Sequence, residues 1–174
     1  MNNSKGLKII HLNIRSLVPK MYLLRSWVAQ HNPNIITLSE TWLNSNISDN
    51  EIKLENYVLY RADRGSRGGG VATYVSSNLT AELITPTVKP THFECLFVKI
   101  IFHQNKYITV GNVYRPTSAP VESSKCLMST FDAIPSKNEM IILGDFNKTW
   151  LDKSSGKDKA GLFVVIKRTL KNYI

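Results

Sequence analysis

The chain has 174 residues, 43% of them hydrophobic and 20% charged, a composition typical of one soluble domain and not of a disordered chain. No apolar run reaches the roughly 18 residues that span a bilayer, and residues 1–8 lack the apolar stretch of a signal peptide, so we expect an intracellular protein without membrane contact. The net charge of +9 is compatible with binding to nucleic acid. However, seven basic and two acidic residues lie from Lys148 onward, so a solvated basic tail explains the positive charge equally well.

Short runs rich in Ile, Val, Leu and Tyr alternate with segments of helical period, which predicts a mixed α and β fold. Strands are predicted at residues 7–13, 35–39, 57–61, 71–75, 93–102, 107–114 and 140–143. Helices are predicted at residues 20–31, 121–134 and 161–173. Prolines end the first two helices because the residue before a proline disfavours helical geometry. No linker divides the chain, so residues 1–174 are expected to form one domain, with a basic tail at residues 153–174.

A glycine-rich patch, Arg-Gly-Ser-Arg-Gly-Gly-Gly, covers residues 64–70. It lacks the Gly-Lys-Ser/Thr ending of a phosphate-binding P-loop. A turn before the strand at Val71 explains it better, since glycine adopts positive φ without steric cost. Arg64 and Arg67 remain candidates for contact with a backbone phosphate.

The cysteines and histidines give no sign of a disulfide framework or a zinc site. Cys95 and Cys126 form no CxxC pair, and the four histidines show no spacing typical of zinc ligands. We therefore expect neither.

Four predicted strands end in polar residues of the types used in catalysis. These residues are Asn13, Glu40, Tyr114 and Asp145, the last followed closely by Asn147. Each alone has an ordinary explanation, as a turn former or a half-buried ring. Together they offer two carboxylates, two carboxamides and a phenol, a set suited to holding a hard divalent cation and orienting a phosphate. Because α and β folds place their sites at strand ends, we expect these side chains to meet.

The segments around these residues resemble the endonuclease/exonuclease/phosphatase superfamily over about residues 7–152. Five segments carry the resemblance: Leu-Asn-Ile-Arg-Ser-Leu, Ser-Glu-Thr-Trp-Leu, Arg-Gly-Gly-Gly-Val-Ala, Asn-Val-Tyr-Arg-Pro and Ile-Leu-Gly-Asp-Phe-Asn. The superfamily motifs alone would also allow abasic-site endonucleases, inositol phosphatases or sphingomyelinases. Ser-Glu-Thr-Trp-Leu, the triple glycine and Tyr-Arg-Pro look specifically like the endonuclease domains of non-LTR (LINE-type) retrotransposon polyproteins.

The resemblance implies a fold, an activity and a partner. The fold is an α/β (α+β) two-sheet β-sandwich flanked by helices. The activity is the nicking of target DNA, so that the exposed 3′ hydroxyl primes reverse transcription. DNA is then the partner, the nucleus is the location, and no small-molecule cofactor is expected. Arg67 and Arg115 are the expected substrate-binding side chains.

The same resemblance implies a role for each polar strand-end residue. Glu40 would bind Mg²⁺, with Mn²⁺ as an alternative, and Asn13 would order the metal's water shell. Asp145 would hold or deprotonate the attacking water. Asn147 would contact the scissile phosphate, and Tyr114 would donate a hydrogen bond to a phosphate oxygen.

The superfamily completes its site with a later Asp and a terminal Asp-His pair, whereas this chain ends 27 residues after Asn147. His11 and His103 lie in predicted strands upstream and are expected to be structural. We therefore expect a fold incomplete at the C-terminus, with an open sheet edge, marginal stability and a tendency to aggregate. Turnover is expected to be impaired, since general acid–base assistance contributes on the order of 10²–10⁴-fold. The alternative is an inactive remnant that binds nucleic acid or protein.

Overall fold

A computed structural model describes residues 6–65, 68–86, 91–102, 106–120, 122–134 and 139–147. The strands within these ranges are β1 (Ile9–Asn13), β2 (Ile35–Ser39), β3 (Tyr57–Ala62), β4 (Val71–Ser76), β5 (Thr80–Ile84), β6 (Glu94–Ile101), β7 (Tyr107–Tyr114) and β8 (Met140–Asp145). The helices are α1 (Met21–His31), which follows a short 3₁₀ turn, and α2 (Ser123–Asp132). No described helix has the length and apolar character needed to cross a membrane.

The strands form two four-stranded sheets, one in the order β1-β2-β4-β3 and the other in the order β5-β6-β7-β8. Most neighbours are antiparallel, but β1 pairs parallel with β2, and β7 pairs parallel with β8. Parallel partners end at the same edge of a sheet. The carboxyl ends of β1 and β2 therefore lie together, and so do those of β7 and β8.

Apolar side chains from both sheets fill the space between them. The buried cluster joins Val71 and Val75 of β4 to Val98 of β6, Val110 of β7 and Leu143 of β8. Because these residues come from both sheets, burying them holds the two sheets face to face. The expected two-sheet sandwich is confirmed.

The two helices cover the outer faces of the sandwich. Leu24 of α1 is buried in a cluster with Ile36 of β2 and Tyr74 of β4. Leu127 of α2 is buried with Ile142 of β8 in a separate cluster. The layers are therefore helix, sheet, sheet and helix, as the resemblance implied.

A buried asparagine in β7 joins the two sheets by hydrogen bonds. Asn112 is fully buried, and its Nδ2 donates to the carbonyl oxygens of Leu38 at 3.0 Å and Ala72 at 2.9 Å. Leu38 in β2 and Ala72 in β4 face each other in the register of the first sheet. This one side chain thus fixes the position of the second sheet against two strands of the first.

The seven predicted strands are confirmed, with ends shifted by at most two residues, and so are the first two helices. The prediction was wrong in omitting β5. Within the described ranges this strand pairs only with β6, and it is largely exposed, so it lacks the apolar run that marked the other strands. The helix predicted at residues 161–173 and the basic tail lie outside the described residues.

Candidate active site

Three polar side chains meet where β1, β2 and β8 end. Asn13 is the last residue of β1, Glu40 directly follows β2, and Asp145 is the last residue of β8. The Nδ2 atom of Asn13 donates to Oε1 of Glu40 at 2.7 Å and to Oδ2 of Asp145 at 2.6 Å. The expected convergence of these residues, which are up to 132 positions apart in sequence, is confirmed.

Glu40 is held in a left-handed backbone conformation, with φ of 53°. Such a conformation costs a non-glycine residue about 1–3 kcal/mol and persists only where its surroundings impose it. Here its carbonyl oxygen accepts the Ser16 N–H at 2.9 Å, and the next residue, Thr41, donates its N–H to Gly70 at 3.3 Å. The loop after β1 and the glycine-rich loop thus fix Glu40 from two sides.

Asp145 is 5% exposed, and both of its carboxylate oxygens are oriented by donors. Oδ2 accepts the Asn13 amide, and Oδ1 accepts the backbone N–H of Asn147 at 3.3 Å. The side chain of Asn147 donates its own Nδ2–H to the carbonyl oxygen of Arg115 at 2.9 Å. Asn147 therefore lies beside Asp145, and its predicted phosphate contact stays a prediction.

Tyr114 ends β7 and faces Asp145 directly in the register of β7 and β8. Burial and the nearby carboxylate of Glu40 raise the pKa of its phenol to about 12, although Arg64 opposes the shift. The phenol is therefore protonated at neutral pH. It can donate a hydrogen bond, which is the property that the predicted contact with a phosphate oxygen requires.

The two predicted substrate-binding arginines have different outcomes. The guanidinium of Arg115 is buried, with Nε donating to Oγ of Ser123 at 2.9 Å and the side chain also donating to the carbonyl oxygens of Ala119 and Pro120. These bonds give Arg115 a structural role in the loop before α2. Its predicted contact with substrate stays a prediction, and the bonds do not support it. Arg67 lies outside the described residues.

His11 is buried in β1 beside the site. Its Nδ1 lies 3.0 Å from Oγ1 of Thr37, on the neighbouring strand. Burial lowers the pKa of its imidazole to about 4, although Asp145 opposes the shift, so the ring is neutral at neutral pH. The expected structural role is borne out by this burial, and the other histidine in question, His103, lies outside the described residues.

Sequence reasoning missed Glu94, the first residue of β6. Its carboxylate accepts two hydrogen bonds from Arg64, at 2.8 Å from Nε and 2.9 Å from Nη2. These bonds use two of the five N–H donors of Arg64, and its phosphate contact stays a prediction. Glu94 stands opposite Tyr114 in the sheet register, a relation that only the strand pairing reveals.

The donor set fits a magnesium ion that keeps most of its water. Among the described residues, no group of three or more His, Cys, Asp or Glu side chains could hold a metal. Magnesium, however, is often held by one or two carboxylates together with several waters. Glu40 and Asp145 supply two carboxylates, and Oδ1 of Asn13 is a buried oxygen without a hydrogen-bond partner among the described residues. A hydrated cation would satisfy such an atom.

Sequence comparison identifies the class of protein. A model of the endonuclease/exonuclease/phosphatase family matches residues 10–168, so the chain belongs to that family. Its members are typically hydrolytic nucleases and phosphatases, and they commonly use divalent metals. No curated protein sequence matches the chain significantly.

Solved structures at low identity share the fold. The D. rerio protein TDP2, complexed with a single-strand DNA product, gives a TM-score of 0.60 at 17% identity over 82% of this chain and 61% of that one. A Bacteroides thetaiotaomicron mannosyl-6-phosphatase gives 0.63 at 16% over 82% and 66%. The Neisseria 3′ phosphatase NExo, bound to a product DNA hairpin, gives 0.56 at 18% over 82% and 58%. The chain thus spans about three-fifths to two-thirds of these proteins, and the likeness establishes the fold alone.

Proposed function

We propose that this chain carries the metal-dependent DNA-nicking site of a retrotransposon endonuclease that acts in the nucleus. The observation that carries the proposal is the bridge from Asn13 to the carboxylates of Glu40 and Asp145. Family membership supports phosphodiester hydrolysis. The sequence motifs Ser-Glu-Thr-Trp-Leu and Tyr-Arg-Pro support a retrotransposon origin. The DNA bound to two of the similar structures supports DNA as the substrate.

In the proposed reaction, a water molecule attacks the phosphorus atom in line with the 3′ oxygen; the bond from phosphorus to that oxygen breaks, and the oxygen takes a proton from solvent and leaves as a 3′ hydroxyl. Glu40, with Asn13 beside it, would hold Mg²⁺, which when bound offsets the charge that develops on the phosphate. Asp145 accepts a proton from the attacking water, and its two oriented oxygens hold that water in place. Tyr114 donates a hydrogen bond to a phosphate oxygen, which stabilises the transition state more than the ground state.

The test is Mg²⁺-dependent nicking of a supercoiled plasmid. Wild type should produce open circles with Mg²⁺ and none with EDTA. Glu40→Gln keeps the size of the side chain but removes its charge, and it should slow nicking by at least about a hundredfold. The matched control is Glu82→Gln, which removes an exposed carboxylate from β5, far along the sheet.

Nicking that is unchanged by Glu40→Gln would reject the assigned site. DNA binding without cleavage by wild type, with affinity falling steeply as salt rises, would favour the inactive binding remnant. The active endonuclease and the inactive binding remnant thus predict different outcomes of the nicking and binding assays on the same protein.

A further inference from the structure

A carboxylate, a guanidinium and a phenol form a triad beside the candidate site. Glu94 and Arg64 make a two-pronged ion pair, and the guanidinium carbon of Arg64 lies 5.5 Å from the centre of the Tyr114 ring. Side-chain exposure is 29% for Arg64 and 16% for Glu94. A partly desolvated cation over an aromatic face attracts the ring, so the pair restricts how the phenol is oriented.

The same carboxylate also anchors the glycine-rich loop. Oε2 of Glu94 accepts the Gly70 N–H at 3.3 Å. In turn, the carbonyl oxygens of Gly70 and Gly69 accept the N–H groups of Thr41 and Trp42, the two residues directly after Glu40. A chain of hydrogen bonds therefore runs from Glu94 through the glycine loop to the backbone that carries the proposed metal ligand.

Close packing explains two of the glycines in this loop. A Cβ atom at position 69 would lie 2.4 Å from the guanidinium of Arg64, and one at position 70 would lie 2.6 Å from Oγ1 of Thr41. Both glycines also have positive φ, 72° and 80°. The loop is thus more than a turn before β4, because any side chain there would push Arg64 or Thr41 out of place.

We propose that Arg64 and Glu94 are positioning residues that act as one unit. Arg64 orients the Tyr114 phenol, and Glu94 fixes the loop that holds Glu40. The pair places two site groups from different sheets, since Tyr114 belongs to the second sheet and Glu40 follows a strand of the first. This inference deepens the proposed function and depends on it for its catalytic consequence.

The chain offers a matched control at the other end of β6 and β7. Lys99 pairs with Glu82 at 3.4 Å and lies 4.9 Å from the centre of the Tyr107 ring. This second triad also joins a carboxylate, a cation and a phenol, here on β5, β6 and β7, and among the described residues no hydrogen bond of Glu82 or Lys99 side chains reaches the glycine loop or Glu40. An effect specific to the first triad is therefore not a general effect of losing an ion pair.

The test is a double-mutant cycle of Glu94→Gln and Arg64→Gln, with Glu82→Gln and Lys99→Gln as the control cycle. Each variant is first checked for wild-type circular dichroism. Two properties are then measured: the affinity for Mg²⁺ alone, as a Kd by calorimetry, and the kinetics of plasmid nicking, as kcat and KM. We expect Glu94→Gln to weaken Mg²⁺ binding and lower kcat by roughly ten- to hundredfold, with KM little changed.

The double variant should lose no more than the larger single loss, because residues that act through one another are not additive. The control cycle should change neither the Kd for Mg²⁺ nor the kcat and KM of nicking. Wild-type Kd and kcat in folded Glu94→Gln, or losses that simply multiply in the double variant, would overturn the inference. If wild type binds Mg²⁺ without nicking, the proposed function fails, while the Kd values still decide whether the pair positions the metal ligand.

Discussion

The carboxamide of Asn13 has two ends in different environments. Nδ2 donates to Glu40 and Asp145, whereas Oδ1 is buried without a partner among the described residues. A buried polar atom left unpaired costs about 1–3 kcal/mol. The Nδ2 end thus orients the two carboxylates, and the Oδ1 end is the oxygen that Asn13 would offer to a water of the proposed hydrated cation.

The buried imidazole of His11 predicts a pH dependence of stability. Its pKa in the folded chain is about 4, below the ordinary 6.5, because burial disfavours the charged ring. Between these two values the unfolded chain binds more protons, so stability falls as pH drops through that window, by up to about 3 kcal/mol. His11→Gln should lose much less over the same range. Urea unfolding in EDTA from pH 7 to 4 measures this, and parallel curves for the two proteins would contradict it.

At the scale of the elements, the cross-sheet bonds of Asn112 fix how β7 lies against β2 and β4. Asn112→Leu keeps a similar volume but leaves the Leu38 and Ala72 carbonyls without that donor, so it should lower the free energy of unfolding by about 1–3 kcal/mol.

The matched variant for this prediction is Thr109→Val in the same strand. Thr109 is fully buried, and its hydroxyl has no hydrogen-bond partner among the described residues, so this change should cost little. Urea titration of both variants checks the pair. Equal losses would show that Asn112 stabilises the fold only by filling space.

A strand or helix could be predicted from the sequence only where its own residues show a clear apolar pattern. The strand at residues 35–39 is predicted to the residue, because all five side chains are buried and form one apolar-rich run. The edge strand β5 lacks such a run and was missed. The site residues follow strand ends and could be found, but the left-handed φ of Glu40 and the Arg64–Glu94 pair depend on contacts between distant segments. No local pattern encodes those contacts.

At the scale of the whole molecule, the sandwich brings together groups that neither sheet holds alone. Asn13 ends a strand of the first sheet and Glu40 directly follows one, whereas Tyr114 and Asp145 end strands of the second. The site therefore exists only while the sheets stay packed, and its geometry is as stable as that interface. Among the described residues β1 and β8 each end a sheet. The expected marginal stability and aggregation of the chain stay predictions.

Paramagnetic broadening by Mn²⁺ tests most directly whether the ends of β1, β2 and β8 form one cation site, because it needs no turnover. At substoichiometric Mn²⁺, the backbone amide signals of Asn13, Glu40 and Asp145 should broaden first. Those of Asn34 and Ser76, roughly 16 Å away at the other end of β2, should stay sharp. Glu40→Gln should abolish the selective effect. Broadening that begins elsewhere, or that persists in this variant, would contradict the assignment of the site.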